Sequence, residues 1–166
     1  MSKLELGAFW RPRRESIEQC ADRMQAFMEE LVQCDEVFAS WYQKGWSRKD
    51  ALRRKVDVHD RGALLTLLNK GRNRRDYGGE VIEDLGFSVG LWNGGPEERT
   101  AGLMIRCGLY SKVFGLGANS VVLGFPEELG ALADASKTSR VLAITARCWE
   151  PDWAGVFSVK AMQTSD

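Results

Sequence analysis

Between Phe87 and Trp92 the side chains alternate: Phe87, Val89 and Leu91 are apolar, and Ser88, Gly90 and Trp92 fall between them. A period of two puts one set of side chains on each side of an extended backbone, so this stretch predicts a strand with one buried face. Gly94, Gly95 and Pro96 supply a turn. Within Ala101–Leu109 the alternation then returns, with Leu103, Ile105, Cys107 and Leu109 set against Met104 and Arg106. Two such runs across a glycine turn predict an antiparallel hairpin. A hairpin with one apolar face needs a cover, and the rest of the chain must provide it. The longer stretch Val81–Gly95 lies where a helical first half gives way to a strand-rich second half.

The cover is legible upstream. Ser16 with Gln19 three residues on forms a capping box, and Ile17, Cys20, Ala21, Met24, Phe27, Met28 and Leu31 follow at helical spacing as one broad apolar stripe. Asp35–Lys44 reads as a shorter helical or irregular piece anchored by Phe38, Trp41 and Tyr42. Ser47 with Asp50 resembles a second capping box and opens a short basic helix around Lys49–Arg54. Asp57 precedes a helix predicted from about Val58 to Lys70, with Leu64, Leu65, Leu67 and Leu68 inward and Gly71 placed as its C′ residue. The polar, glycine-rich run Arg72–Gly79 reads as an exposed loop.

Three further strands are predicted: Leu4–Trp10, Ser120–Phe125 and Trp153–Val159, the last carrying Trp153, Gly155, Phe157 and Val159 on one face. Pro126 suits the start of a short helix with Leu129, Leu132 and Ala133 inward. Val141–Trp149 alternates again, which favours a strand over a helix and makes Trp153–Val159 its hairpin partner across Glu150–Asp152. The C-terminal AMQTSD reads as a frayed tail. The expectation is therefore one α+β domain over residues 1–166. An antiparallel or mixed sheet of about five or six strands packs against an N-terminal group of helices, with one short helix in the C-terminal half.

Composition narrows the function. Lys+Arg and Asp+Glu both number 23, so no net charge draws the chain to nucleic acid or an anionic membrane. No apolar run spans a bilayer and the N-terminus does not read as a signal peptide, which makes the cytoplasm the default location. Cys20, Cys34, Cys107 and Cys148 are scattered without a C-x-x-C pair, so they read as small buried hydrophobes rather than metal ligands. Gly115 and Gly117 in FGLGAN lack the third glycine of a dinucleotide fingerprint and read as a loop. No nucleophile elbow is present, and no cofactor is expected. A hydrolytic alternative would have to draw on His59, Glu83 and Asp84; a nucleic-acid alternative would use Arg72, Arg74 and Arg75. Absent such chemistry, surface recognition is the better reading. Trp10, Trp41 and Trp153 fit core positions, whereas Trp92 falls on the face opposite Phe87 and Trp46 and Trp149 sit at turns. Exposed Trp and Arg are the composition of interface hot spots. Candidate partner contacts are Arg72, Arg74, Arg75, Trp92, Asn93, Trp149, Glu150 and Asp152.

Six segments in order, FWRPRRES, WYQKGWSRKDAL, GRNRRD, EDLGFSVGLWNGG, NSVVLGFP and WEPDWAGVFS, together resemble the immunity protein 52 family across nearly the whole chain. The resemblance implies an α+β fold and a cytosolic, non-catalytic antitoxin of a bacterial polymorphic-toxin or type VI secretion system. Its partner would be a cognate toxin of a kind that includes nucleases of the restriction-endonuclease fold. It supplies no catalytic residues.

Overall fold

Ser16 caps the longest helix as its spacing to Gln19 predicts: its hydroxyl accepts from the Gln19 amide at 3.1 Å, and its own amide donates to the Gln19 side chain at 2.8 Å. The computed structural model describes residues 2–112 and 118–160. Along the chain run β1 (Ser2–Trp10), α1 (Ile17–Cys34), β2 (Trp41–Gln43), α2 (Arg48–Ala51), β3 (Lys55–Val56), α3 (Arg61–Lys70), β4 (Phe87–Trp92), β5 (Gly102–Cys107), β6 (Asn119–Gly124), α4 (Ala135–Trp149) and β7 (Trp153–Lys160). Single 3₁₀ turns occupy Glu36–Phe38, Glu83–Leu85, Glu97–Arg99 and Gly130–Ala133. The strands form one seven-stranded sheet in the order β3-β2-β4-β5-β6-β1-β7, antiparallel throughout. The fold is α+β as expected, with a slightly larger sheet.

One face of that sheet is the core. Leu6, Ala8, Trp10, Val89, Leu91, Ile105, Val121 and Leu123 are buried there beneath α1, which presents Cys20, Met24, Phe27, Met28 and Leu31. α3 and α4 pack on either side of α1. Helices on one side of an antiparallel sheet leave its other side uncovered. Among the described residues, no helix is long and apolar enough to cross a membrane.

β1, α1, β4 and the β4–β5 hairpin follow the sequence; β4 spans the same residues that the alternation marks. Other elements correct it. Asp35–Lys44 is not a helix but a 3₁₀ turn followed by β2, which is too short to show a period. α3 begins at Arg61 and is capped by Asp60, whose carboxylate accepts from the Ala63 amide; Asp57 instead caps the preceding turn through the His59 amide. Gly71 ends α3 at φ −85°, outside the left-handed region, and is glycine because a Cβ there would lie 1.9 Å from the Ser88 carbonyl. The short helix expected after Pro126 is only the 3₁₀ turn Gly130–Ala133, where Leu132 is buried and Ala133 exposed.

The largest correction is Val141–Trp149, which is helix. Asp134 caps α4 by accepting from the Ser136 amide at 2.9 Å. Val141, Ile144, Thr145 and Trp149, three and four apart, form the face that packs inward. Their helical spacing wins over the accidental alternation because α1 offers an apolar surface for a helix to cover. The second half therefore holds a 15-residue helix, not only a short one. It also follows that β7 is no hairpin partner of this segment; it pairs with β1 instead. The face of β7 that carries Trp153 and Phe157 points away from the core, and Trp153 is 54% exposed. AMQTSD, Gly115 and Gly117 lie outside the described residues.

The end of α4 is unusually well tied. Arg23 donates to the Cys148 carbonyl at 2.9 Å, and Arg13 to the carbonyls of Trp149 and Glu150 at 2.7 and 3.0 Å. Cations at a helix C-terminus satisfy orphan carbonyls and complement the helix dipole. Both guanidiniums also hold Glu15, at 3.0 and 2.7 Å, and Arg23 reaches the Glu150 carboxylate at 2.8 Å. Beneath them Trp10 stacks on Trp149 at 5.6 Å, with Phe27 edge-on at 6.0 Å and Arg13 over the Trp10 ring. Glu150 itself adopts φ 49° and turns the chain toward β7.

Candidate interaction surface

The uncovered sheet face is built by the positions that the alternation leaves over. Register places Glu5, Gly7 and Phe9 of β1 beside Gly124, Val122 and Ser120 of β6, which in turn neighbour Gly102, Met104 and Arg106 of β5. Gly90 and Trp92 of β4 continue the face, and Tyr42 of β2 completes it. Across β1 and β7, Phe9 stacks on Trp153 at 5.6 Å, and the Phe9 and Phe157 rings lie over Gly7. Aromatic rings thus cover the glycine at that end.

At the other end the glycines are bare. A groove of about 780 Å³ opens over Gly102 and Gly124, floored also by Met104 and Val122. Trp92 forms one wall, tilted against Tyr42 at 6.2 Å, with the Arg48 guanidinium 6.0 Å from its ring centre. The opposite rim carries Lys3 and Glu5. Among the described residues, a Cβ on Gly102 would meet nothing within 4 Å.

Beside the groove rises an arm made by β2, α2 and β3. Ser47 accepts from the Asp50 amide at 3.2 Å, as its capping spacing predicts, and Asp50 accepts from the Trp46 amide and pairs with Arg54 at 3.3 Å. Ala51 is buried and anchors the arm. Between Lys44 and Lys55 the cations Lys44, Arg48, Lys49, Arg53, Arg54 and Lys55 face the single carboxylate Asp50, a local excess of five in a chain that is neutral as a whole. Trp46 projects from it and is 96% exposed.

The candidate contacts predicted from sequence do not form one patch. Trp92 lines the groove. Asn93, next to it, is fully engaged: its amide donates to the carbonyls of Val37 and Arg99, both at 2.9 Å, and its oxygen accepts from Gly95 and Ala101. It fixes the β4–β5 turn rather than offering a free group. Arg72, Arg74 and Arg75 lie beyond the opposite end of β4, where Arg72 packs over Phe87 at 5.2 Å and donates to Asn69. Arg74 and Arg75 are exposed on that loop with Tyr77, 94% exposed, at its tip. Trp149 leaves the surface altogether: its ring is wholly buried, because the segment that bears it is helix. Glu150 is exposed but held by Arg23, which keeps its carboxyl below the ordinary value. Asp152 accepts from the Arg11 amide at 2.8 Å. Sequence reasoning missed Gly102, Gly124 and Trp46 as parts of one surface; the strand period was the only signal for the first two.

The residues of the hydrolytic alternative are held apart in their contacts. His59 faces Glu29 of α1 at 3.3 Å, while the Asp84 carbonyl accepts from the amides of Tyr110 and Ser111 after β5. Among the described residues no group of three or more His, Cys, Asp or Glu could hold a metal ion. Cys20, Cys34 and Cys107 are buried free thiols; burial, helped by Glu30, pushes the half-buried Cys148 thiol up to about 11.

The family described as Immunity protein 52 matches residues 4–165. No curated protein matches the chain.

Proposed function

This chain belongs to the Immunity protein 52 family, and we propose that it binds and neutralises a cognate secreted antibacterial toxin in the cytoplasm of the cell that makes both. The observation that carries the reading is the family match over nearly the whole chain. The architecture supports it, since a sheet covered on one side only leaves an aromatic and cationic face for a partner. Members of such a family act as inhibitors, and the mechanism is occlusion or blocked assembly of the toxin rather than turnover. A toxin of the restriction-endonuclease fold, delivered by a type VI system, is the partner class we favour. An antitoxin has to hold its target at cellular concentration, and nanomolar binding corresponds to about −12 kcal/mol. Such energy concentrates in a few desolvated Trp, Tyr and Arg anchors; Trp46, Trp92, Arg74, Arg75 and Tyr77 are available here.

The test is co-expression of the chain with the toxin encoded beside it. Rescue of growth, together with loss of the toxin's DNA cleavage at equimolar chain, is the expected result. Growth arrest that persists despite soluble chain would refute the reading.

A further inference from the structure

We propose that the groove over Gly102 and Gly124 receives an acidic, apolar-tipped segment of the toxin, clasped between the sheet and the cationic arm. The inference rests on the toxin-binding reading above and adds where the toxin docks and what it presents there.

The floor carries the first part of the case. Glycine in a strand is less favourable than alanine and marks a bulge, a bend or the close approach of another backbone. Gly102 opens β5 and is paired on both sides, with Trp92 and with Gly124, so no bulge interrupts the ladder there. Its φ is not positive, and among the described residues a Cβ would meet no atom within 4 Å. Nothing among the described residues asks for glycine there. At Gly71, by contrast, the Ser88 carbonyl fills the place of a side chain. An empty cradle above an apolar floor, flanked by Met104, Val122 and Trp92, fits a partner's apolar side chain or its backbone.

The arm carries the second part. Its cations are not neutralised within the chain: Asp50 pairs with Arg54 alone, and among the described residues no salt bridge engages Lys44, Arg48, Lys49, Arg53 or Lys55. A partner segment bearing carboxylates complements that field, and Trp46, exposed at the arm's tip, closes over it. Two other occupants fit less well. A nucleic acid lays an unbroken row of phosphates past Glu5 and Glu97 as well as past the arm, whereas a peptide segment can hold its carboxylates against the arm and its apolar tip on the floor. A second copy packed face to face would set this arm's cations against a surface built from the same cations.

The experiment is calorimetric titration with the toxin that the wild-type chain neutralises in co-expression, used in a catalytically dead form. Gly102→Val should lower affinity about 100-fold, the cost of overfilling a packed site, with a melting temperature no lower than that of the wild type. Lys44→Glu combined with Arg48→Glu should lower it at least about 10-fold and flatten a salt dependence that the wild type shows between low and high NaCl. Both variants binding like the wild type would remove the groove while leaving the antitoxin reading intact; a wild-type chain that binds no toxin would remove both. Loss of affinity in Arg74→Ala with Arg75→Ala, but not in the groove variants, would move the interface to the Arg72–Gly79 loop and overturn the assignment. So would retention of a double-stranded DNA oligonucleotide by the free chain that the charge reversal abolishes.

Discussion

The end of α4 and the groove over Gly102 are built from the same materials, arginine, glutamate and tryptophan, and use them in opposite ways. At α4 each guanidinium is spent inside the molecule: Arg13 and Arg23 cap three carbonyls, share Glu15 and shield the stacked pair Trp10 and Trp149. In the arm beside the groove, five cations have no ionic partner among the described residues and one tryptophan has almost no cover. Saturation makes the first region a fastener. Unmet valence leaves the second open to a partner, which is the basis of the docking proposal. Charge and aromatic content alone do not separate the two roles; what separates them is whether the partners lie within the chain.

Substitutions can break this contrast. The largest effect is expected at Trp149. Truncation to Ala should cost about 4 kcal/mol in urea unfolding, by emptying the space against Trp10 and Phe27. Trp149→Phe should cost far less than Ala, since among the described residues the buried indole Nε1 has no hydrogen-bond partner to lose. Equal losses for the two would show that the indole edge matters in a way that its contacts do not reveal. Glu15→Ala comes next, at about 3 kcal/mol, because it leaves Arg13 and Arg23 beside one another without the carboxylate between them. A neutral outcome would mean that the helix carbonyls suffice to hold both guanidiniums.

Acid should loosen the fastener before the groove. A hydrogen bond from Arg23 holds the Glu150 carboxyl below its ordinary 4.5, and one from Arg147 does the same for Glu30. A carboxylate depressed in the folded state stabilises the fold above its unfolded pKa and loses that contribution as pH falls through the folded one. The melting temperature should therefore decline below about pH 4.5, and Glu150→Gln should flatten part of that decline. The smallest effect on stability is expected in the groove. Gly102→Val should leave the unfolding free energy unchanged or raise it by less than about 1 kcal/mol, as a β-branched residue gains strand preference in empty space. A marked loss would mean that the floor is packed after all.

Sequence order explains which of these features could be read in advance. Local signals were clear: the Ser16–Gln19 and Ser47–Asp50 boxes fix their helix starts with bonds three residues long, and β4 declares both its faces. Trp92 was found because alternation places it opposite Phe87. α4 was misread because Leu142, Ile144, Ala146 and Cys148 alternate by chance, and only the surface of α1 decides in favour of the helical face. β2 and β3 are too short for any period. The groove was hidden for a different reason. Its floor and walls come one residue at a time from β1, β2, β4, β5 and β6 and from the arm, and only the register brings them side by side.

That register has a kinetic side. β1 is flanked by β6 and β7, so the second strand residue of the chain, Lys3, lies opposite Val159, and Arg13 and Arg23 reach across to Cys148–Glu150. Contacts spanning nearly the full length reward the chain only after a long loop has been closed, which places folding on the order of milliseconds to seconds rather than microseconds. During synthesis β1 waits for partners far downstream, β6 and then β7, and it remains an unpaired apolar strand until β6 emerges. The core face is therefore sealed late, as β6 and then β7 close on β1.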